Sequence, residues 1–361
     1  MSETVSSIPP SGGASAAAPD AALFSSPPPV LTSDTAAEIV AELYGVKGVA
    51  RPLHSERDAN FLIETDEARY TLKISNAAEP AERIDCNTAV LLHLQRSARN
   101  APTPRLVPTK DGAVQASSER FPNNIIRLLT YLDGVPLSAM SPTDRPLRSI
   151  GACLGVIDQA LADFRHPAMH FELIWNSARV EALTVLAEHI TDPEARRFAE
   201  RQLQSYCETT APALSALPHQ MIHNDANLGN MLTAMNDPTT IAGLFDFGDM
   251  VVAPSINELA VAAGYHIFEG QDPIAVLCEL ASGYHSERPL ASAECAVLPG
   301  LIRARLLTTI LITHWRASLF PENQDYILRN NPSAWSGLRL LDDVEDGALV
   351  DSVCAACGLD A

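Results

Sequence analysis

The eight residues HNDANLGN, His223 to Asn230, set an imidazole, a carboxylate and an amide at the first, third and eighth positions of a stretch with no apolar period of 3.6 or 2. Such a run reads as a loop. It is followed by MLTAMNDPTTIAGLFDFGD, in which two apolar runs flank Asn236-Asp237-Pro238-Thr239, a turn-forming combination. If the chain folds back at Asp237 or Pro238, paired residue numbers sum to about 475 or 476, and Asn230 faces Phe245 or Asp246. Facing residues of an antiparallel ladder have Cβ atoms roughly 4.5–5.5 Å apart. An amide and a carboxylate therefore meet at the open end of the hairpin, with Asp225 five residues upstream. Hard oxygens of this kind suit Mg²⁺, which takes one or two carboxylates together with water and substrate phosphates. Asp225 is left to accept a proton or to orient a hydroxyl. His223 reads as an imidazole that braces the loop.

The elements that must carry this loop follow from the pattern on either side. SDTAAEIVAELYG predicts a short helix with Ser33 or Asp34 as its cap and Gly45 as its stop. ANFLIET and RYTLKIS, separated by Asp66-Glu67-Ala68, predict a β-hairpin. PAERIDCNTAVLLHLQRS predicts a helix whose buried stripe is Ile84, Leu91 and Leu94, with Asn87 on the same face. More strand-like pieces run from 105 to 132, and Gly134 and Pro136 punctuate the chain after them. From Pro146 onward the pattern is helical, through LRSIGACLGVIDQALADF, SARVEALTVLAEHI and EARRFAERQLQSYCETTAPAL, and again from SINELAVAAGYHIF to LPGLIRARLLTTILITHWRASLF. The expected organisation is a tail over 1–30, a small β-rich lobe with its hinge over 31–132, and a larger, mostly helical lobe over 133–361.

A chain of 361 residues is long enough for two lobes with real cores. Its formal net charge of −19 argues against nucleic acid and favours a cationic or zwitterionic small molecule. Seven scattered cysteines suggest reduced thiols and a cytoplasmic protein, and the single CAAC at Cys354 to Cys357 lacks a second pair to complete a zinc site. The first thirty residues, rich in Ser, Ala, Pro and Gly, have neither the basic region nor the apolar core of a signal peptide. LIRARLLTTILITHW carries Arg303 and Arg305 and reads as too short to span a bilayer.

HNDANLGN resembles the His-x-Asp-x4-Asn catalytic loop of the aminoglycoside phosphotransferase and choline kinase superfamily, and DFGD its metal-binding segment. SERDANF, YTLKIS, RLLTYLDGVPL, FRHPAMHFELIWN, NELAVAAGY and PENQDYIL extend the resemblance, toward the subgroup that contains hydroxylysine kinase. It implies a bilobal, protein-kinase-like α+β fold and a kinase that moves the γ-phosphoryl group of ATP or GTP to the hydroxyl of an amino alcohol or hydroxylated amino acid. Homoserine, choline and aminoglycosides are the alternative acceptors. By the same resemblance Asp225 is the catalytic aspartate, Asn230 and Asp246 hold Mg²⁺, Lys73 reaches the nucleotide phosphates, and the backbone at Thr130, Tyr131 and Leu132 receives the base. SERDAN, from Ser55 to Asn60, covers the phosphates in place of a glycine-rich loop. Asp249, His223 and Trp175 stand near the substrate or behind the catalytic groups.

The sequence also departs from the superfamily pattern. Asn224 stands where glycine is common, Asn176 where Trp-Asp is expected, and the acidic partner of Lys73 would fall at or near Asn87, an amide that cannot neutralise it. Glu82 points about 140° away around the helix. Asn87 and Asn224 together motivate a second reading, a nucleotide-binding regulator without catalysis. Read singly, Lys73 also passes as an edge-strand lysine, Asn87 as a satisfied core amide and Trp175 as packing.

Overall fold

The computed structural model describes residues 26–55 and 57–360; most of the expected tail, residues 1–25, lies outside them. The chain opens with helix α1 (Ser33–Tyr44), which buries Ala36, Ile39, Val40 and Tyr44 and stops at Gly45 with φ 71°. Its cap is Thr32, whose side chain accepts from the Thr35 amide, one residue before the expected Ser33 or Asp34. Strands β1 (Val49–Leu53), β2 (Ala59–Glu64) and β3 (Arg69–Ile74) follow, then helix α2 (Ala81–Ser97) and strands β4 (Leu106–Val107), β5 (Ala116–Ser118) and β6 (Phe121–Thr130). They form one antiparallel sheet in the order β1-β2-β3-β6-β4, with β5 on β6. The apolar stripe of α1 covers one face of the sheet, where Phe61, Ile63, Leu72, Ile74, Ile126 and Leu128 complete a small core. Helix α2 instead gives Cys86, Val90, Leu91 and Leu94 to a second, larger core that continues through the rest of the chain.

Residues 131–134 lead into β7 (Val135–Pro136) and a helical body: α3 (Leu147–Leu161), α4 (Pro193–Ser205), α5 (Ile256–Ala263), α6 (Pro273–Glu287), α7 (Ser292–Leu319), α8 (Asn331–Asp342) and α9 (Asp346–Ala356). The architecture is the bilobal α+β fold expected from the sequence. Ser177–His189, expected as an α-helix, is a series of 3₁₀ turns. Its buried Ser177, Val180 and Leu183 recur every three residues, the period of the 3₁₀ form rather than the α-helix. Helix α7 spans 28 residues and, contrary to the expectation from the shorter apolar run, is long and apolar enough to cross a bilayer. Here 78% of its most apolar window is buried inside the protein, as in the core helix of a globular body. All seven cysteines are unpaired, and among the described residues no group of three or more His, Cys, Asp or Glu could hold a metal ion.

Four short strands set inside this body position the loop. β8 (His219–Ile222) pairs with β11 (Val251–Pro254), and β9 (Met231–Ala234) pairs with β10 (Asp237–Leu244). The chain between β8 and β9 is HNDANLGN, and the chain between β10 and β11 is FDFGDM. The two segments are therefore the two connections between the same pair of ladders. The turn of the β9–β10 hairpin is Met235-Asn236, earlier than expected, so Asp237 pairs with Ala234. Irregularities in β10 after Asp237 restore the register to Leu244 opposite Met231, a sum of 475. Asp237 ties the irregular stretch with bonds to the Thr239 and Thr240 hydroxyls at 2.6 Å each.

Candidate active site

The register delivers the expected contact. The Phe245 amide donates to the Asn230 carbonyl at 3.0 Å, which places Asp246 beside Asn230 at the open end of the hairpin. Asp225, Asn230 and Asp246 all line one cavity of about 410 Å³, together with Lys73.

His223 joins the two connecting segments. Its ring is fully buried, the Asp225 amide donates to its Nδ1 at 3.2 Å, and its Nε2 lies 3.1 Å from the Phe245 carbonyl. An amide can only donate, so Nδ1 is the acceptor and Nε2 carries the proton. Burial holds the ring pKa down at about 4, which keeps it neutral. The imidazole is thus the brace expected from the sequence.

Asn224 adopts φ 64°, a left-handed conformation that asparagine tolerates among non-glycine residues. Its amide nitrogen donates to the Asp249 carbonyl at 3.0 Å and, more distantly, to the Trp175 carbonyl at 3.4 Å. Its backbone N–H donates to Glu258 on α5 at 2.9 Å. The residue that departs from glycine therefore fits its backbone and helps hold the loop. Glu258 is fully buried, and burial pushes its pKa up to about 7 against the bonds from the Asn224 and His223 amides.

The titration of Glu258 gives a first prediction. A folded-state pKa above the unfolded value of about 4.3 means stability that is complete below that value and is lost as pH rises through 7. Relative to wild type, the non-titrating Glu258→Gln should therefore gain up to roughly 3 kcal/mol between pH 4 and pH 8 in urea unfolding. A constant difference across that range would contradict the assignment.

Asp225 is held by two amides, Asn227 Nδ2 at 2.9 Å and Asn230 Nδ2 at 2.8 Å, both on Oδ2. Burial and then the Asp249 charge push its pKa up to about 7, against the Arg305 charge and the Asn227 bond. Asn230 makes both its side-chain bonds, to the carbonyl and the carboxylate of Asp225, through its nitrogen, so its carbonyl oxygen is not spent on them. Asp246, at φ 65°, lies 3.1 Å from Lys73 Nζ, whose charge, with that of Arg57, holds the carboxyl at about 2 against burial.

Lys73 has a carboxylate partner, and it is not on the helix. Asn87 is buried and lines the cavity, but Lys73 pairs with Asp58 at 3.0 Å as well as with Asp246. Burial disfavours the lysine charge, and Asp246 and Asp58 more than offset this, so its pKa lies above the ordinary value. The β2–β3 register, Ala59 opposite Ile74 and Asn60 opposite Lys73, explains the geometry, because Asp58 enters the sheet beside the lysine. Its other oxygen accepts from the Asn76 amide at 3.0 Å. With the charge supplied by Asp58 and the loop accommodating Asn224, both reasons for a non-catalytic protein are gone.

Asp249 closes the ring of charges. It binds Arg57 at 2.6 Å, with Arg83 at 3.7 Å, and these arginines overcome burial to hold its pKa below the usual value. Ser55, Asn60 and Trp175 line the cavity as expected; Tyr131 and Leu132 do not. The Tyr131 amide is already bonded to the Arg69 carbonyl at 3.1 Å, and its ring lies under the Arg69 guanidinium. Sequence reasoning missed Asp58, Arg57, Glu258 and Arg305. For Asp58 a signal existed, since pairing about the Asp66-Glu67 turn sets it next to Lys73. Glu258 and Arg305 lie on helices far along the chain, with no local pattern that points to the loop.

The family model described as phosphotransferase enzyme family matches residues 49–293. A hydroxylysine kinase of Xenopus laevis is 28% identical over 340 residues, covering 87% of this chain and 90% of that one. A homoserine kinase of Rhodopseudomonas palustris (strain TIE-1) is 27% identical over 277 residues, covering 75% and 79%. Among solved structures, a microcompartment-associated aminopropanol kinase superposes with a TM-score of 0.58 at 18% identity, covering 91% of this chain and 99% of its own.

Proposed function

The chain belongs to the phosphotransferase enzyme family, and from that premise we propose that its cavity moves the γ-phosphoryl group of ATP or GTP to the hydroxyl of an amino alcohol or hydroxylated amino acid, with hydroxylysine as the first candidate. Phosphotransfer to a small-molecule hydroxyl is the activity of the relatives, the hydroxylysine and homoserine kinases among them. The single observation that carries the assignment of roles is the convergence of Asp225, Asn230 and Asp246 from two connecting segments onto one cavity that also holds Lys73.

In this reading the acceptor hydroxyl lies against Asp225. Asn227 and Asn230 grip one carboxylate oxygen and leave Oδ1, the oxygen nearer Arg305, toward the hydroxyl. A carboxylate pKa pushed up to about 7 makes a base strong enough to take the hydroxyl proton as the phosphoryl group arrives. Lys73, fixed between Asp58 and Asp246, presents its charge to the nucleotide phosphates. The residues fit a divalent cation: both side-chain bonds of Asn230 to Asp225 use its nitrogen and leave its side-chain Oδ1 out of them, and the Asp246 carboxylate stays ionised. Mg²⁺ bound by these two would offset charge on the transferring phosphoryl group. The unpaired cysteines support a cytoplasmic setting.

The test is turnover of purified protein with Mg-nucleotide against hydroxylysine, homoserine, 1-amino-2-propanol, choline and an aminoglycoside, the phosphorylated product being detected by mass. Phosphorylation of none of them would overturn the substrate class. Lys73→Ala should raise the nucleotide KM and lower kcat, each by roughly 10-fold or more, the worth of one charged hydrogen bond. Unchanged steady-state kinetics would remove Lys73 from the phosphate site.

A further inference from the structure

Helix α7 is buried along most of its length, yet Arg305, Thr309, Thr313 and Arg316 recur at spacings of four, four and three and so share one face. All four line the cavity. Arg305 is only 4% exposed. A guanidinium in that position is costly to desolvate unless an anion and a full set of acceptors compensate it. Its surroundings stop short of that. Nη2 donates to the Tyr265 hydroxyl at 2.5 Å, but the nearest carboxylate oxygen, Asp225 Oδ1, is 3.7 Å away, beyond hydrogen-bond reach. Nε is buried with no partner. The rings of Trp175 and Tyr265 lie 5.7 and 5.3 Å from the guanidinium carbon and fix its position.

The neighbouring hydroxyl has the opposite character. Thr309 donates its proton to the Arg305 carbonyl at 3.2 Å, so what remains to its oxygen is acceptor capacity. One turn of helix thus presents an unsaturated cation beside a hydrogen-bond acceptor, both in the cavity that holds Asp225. The charge balance of the cavity points the same way. Among its described lining residues six Lys and Arg side chains stand against five Asp and Glu, although the whole chain carries −19.

We propose that Arg305 and Thr309 form the subsite for the α-amino-acid head group of the acceptor, Arg305 taking the carboxylate and Thr309 the ammonium. This rests on the kinase reading above and narrows it, from amino alcohols in general to hydroxylated amino acids. With 3.7 Å between Asp225 Oδ1 and Arg305 Nη2 and hydrogen bonds of about 2.8 Å at each end, a hydroxyl on Asp225 and a carboxylate on Arg305 can lie up to roughly 9 Å apart. That is the reach of a short aliphatic chain. The other anion that could reach Arg305 is the γ-phosphate of the nucleotide, which is common to every acceptor.

The test therefore uses acceptor pairs that differ only in the carboxylate: hydroxylysine against 1,5-diaminopentan-2-ol, and homoserine against 3-aminopropan-1-ol. Wild-type protein should favour the carboxylated member of at least one pair by about 100-fold or more in kcat/KM, since a site built around a charged group rejects the analogue that lacks it. Arg305→Gln should bring that ratio to within about 10-fold. Equal use of both members by the wild type, or a ratio that Arg305→Gln leaves intact, would overturn the proposal and assign Arg305 to the phosphate or to Asp225. Should Arg305→Gln fail to fold, Thr309→Val decides by a pair that differs in the ammonium, homoserine against 4-hydroxybutanoate: it should bring the wild-type preference for the aminated member to within about 10-fold, and a preference left intact would overturn the subsite. Turnover of neither pair, with no preferential binding of the carboxylated members in titration calorimetry, would overturn it as well. Turnover of the decarboxylated members alone would overturn the head-group subsite and leave the kinase reading standing.

Discussion

Asp225→Asn is expected to lower kcat by roughly 10²- to 10⁴-fold, the usual contribution of a positioned general base, while nucleotide still binds. Asparagine is the sharper probe than alanine, because the Asn227 and Asn230 amides that grip Asp225 Oδ2 can keep an oxygen acceptor in the same place. What the substitution removes is the ability to take a proton. The pH profile offers an independent check on the same residue. A carboxyl whose pKa has been pushed up is protonated as pH falls, so wild-type kcat/KM should fall on the acid side, with a midpoint between the ordinary carboxylate range and about 7. A bound cation pulls the midpoint toward the lower end. The residual rate of Asp225→Asn should lose that limb. Full turnover in Asp225→Asn, with product confirmed by mass, would show that the acceptor hydroxyl needs no base here.

The hairpin shows how a wrong local assignment can still deliver the right contact. The turn lies at Met235-Asn236 rather than about Asp237-Pro238, which alone would shift every later pair by four in the sum of residue numbers. The irregular stretch after Asp237 absorbs that shift, and Asn230 still faces Phe245. Local pattern carried the chemistry-bearing loop because its residues are close in sequence and its ladders are short. It carried the α+β division for the same reason, since alternation and helical period are local properties.

What remained illegible is of a different kind. Lys73 takes its carboxylate from Asp58 across a hairpin, Asp249 takes its arginines from the β-rich part of the chain, and Glu258 reaches back to the Asn224 amide from α5. These pairs are set by how elements pack, and a single sequence does not state packing. Arg305 illustrates the limit most clearly. In an apolar run it looked like a charge that argued against a membrane segment, whereas its place on α7 aims it at the cavity.

Asp246→Asn should lower kcat/KM by about 10³-fold and shift the Mg²⁺ concentration for half-maximal turnover upward by at least roughly 10-fold, because the ionised ligand is the dominant part of a two-residue cation site. The fold should survive. Asp246 occupies φ 65°, which asparagine also tolerates, so the backbone of the FDFGD segment has no reason to move. Lys73 keeps Asp58 at 3.0 Å, and the two connecting segments stay joined through His223 and the Phe245 carbonyl. An unfolded variant is thus separable from an inactive one by its thermal midpoint, which should stay within a few degrees of wild type. The pattern of kinetic loss also separates Asp246 from Asp225. Added Mg²⁺ should restore part of the activity of Asp246→Asn, whose amide is still an oxygen ligand, and none of the activity of Asp225→Asn, which lacks a base. Equal Mg²⁺ dependence in wild type and Asp246→Asn would detach the carboxylate from the metal and leave it as the counter-ion of Lys73.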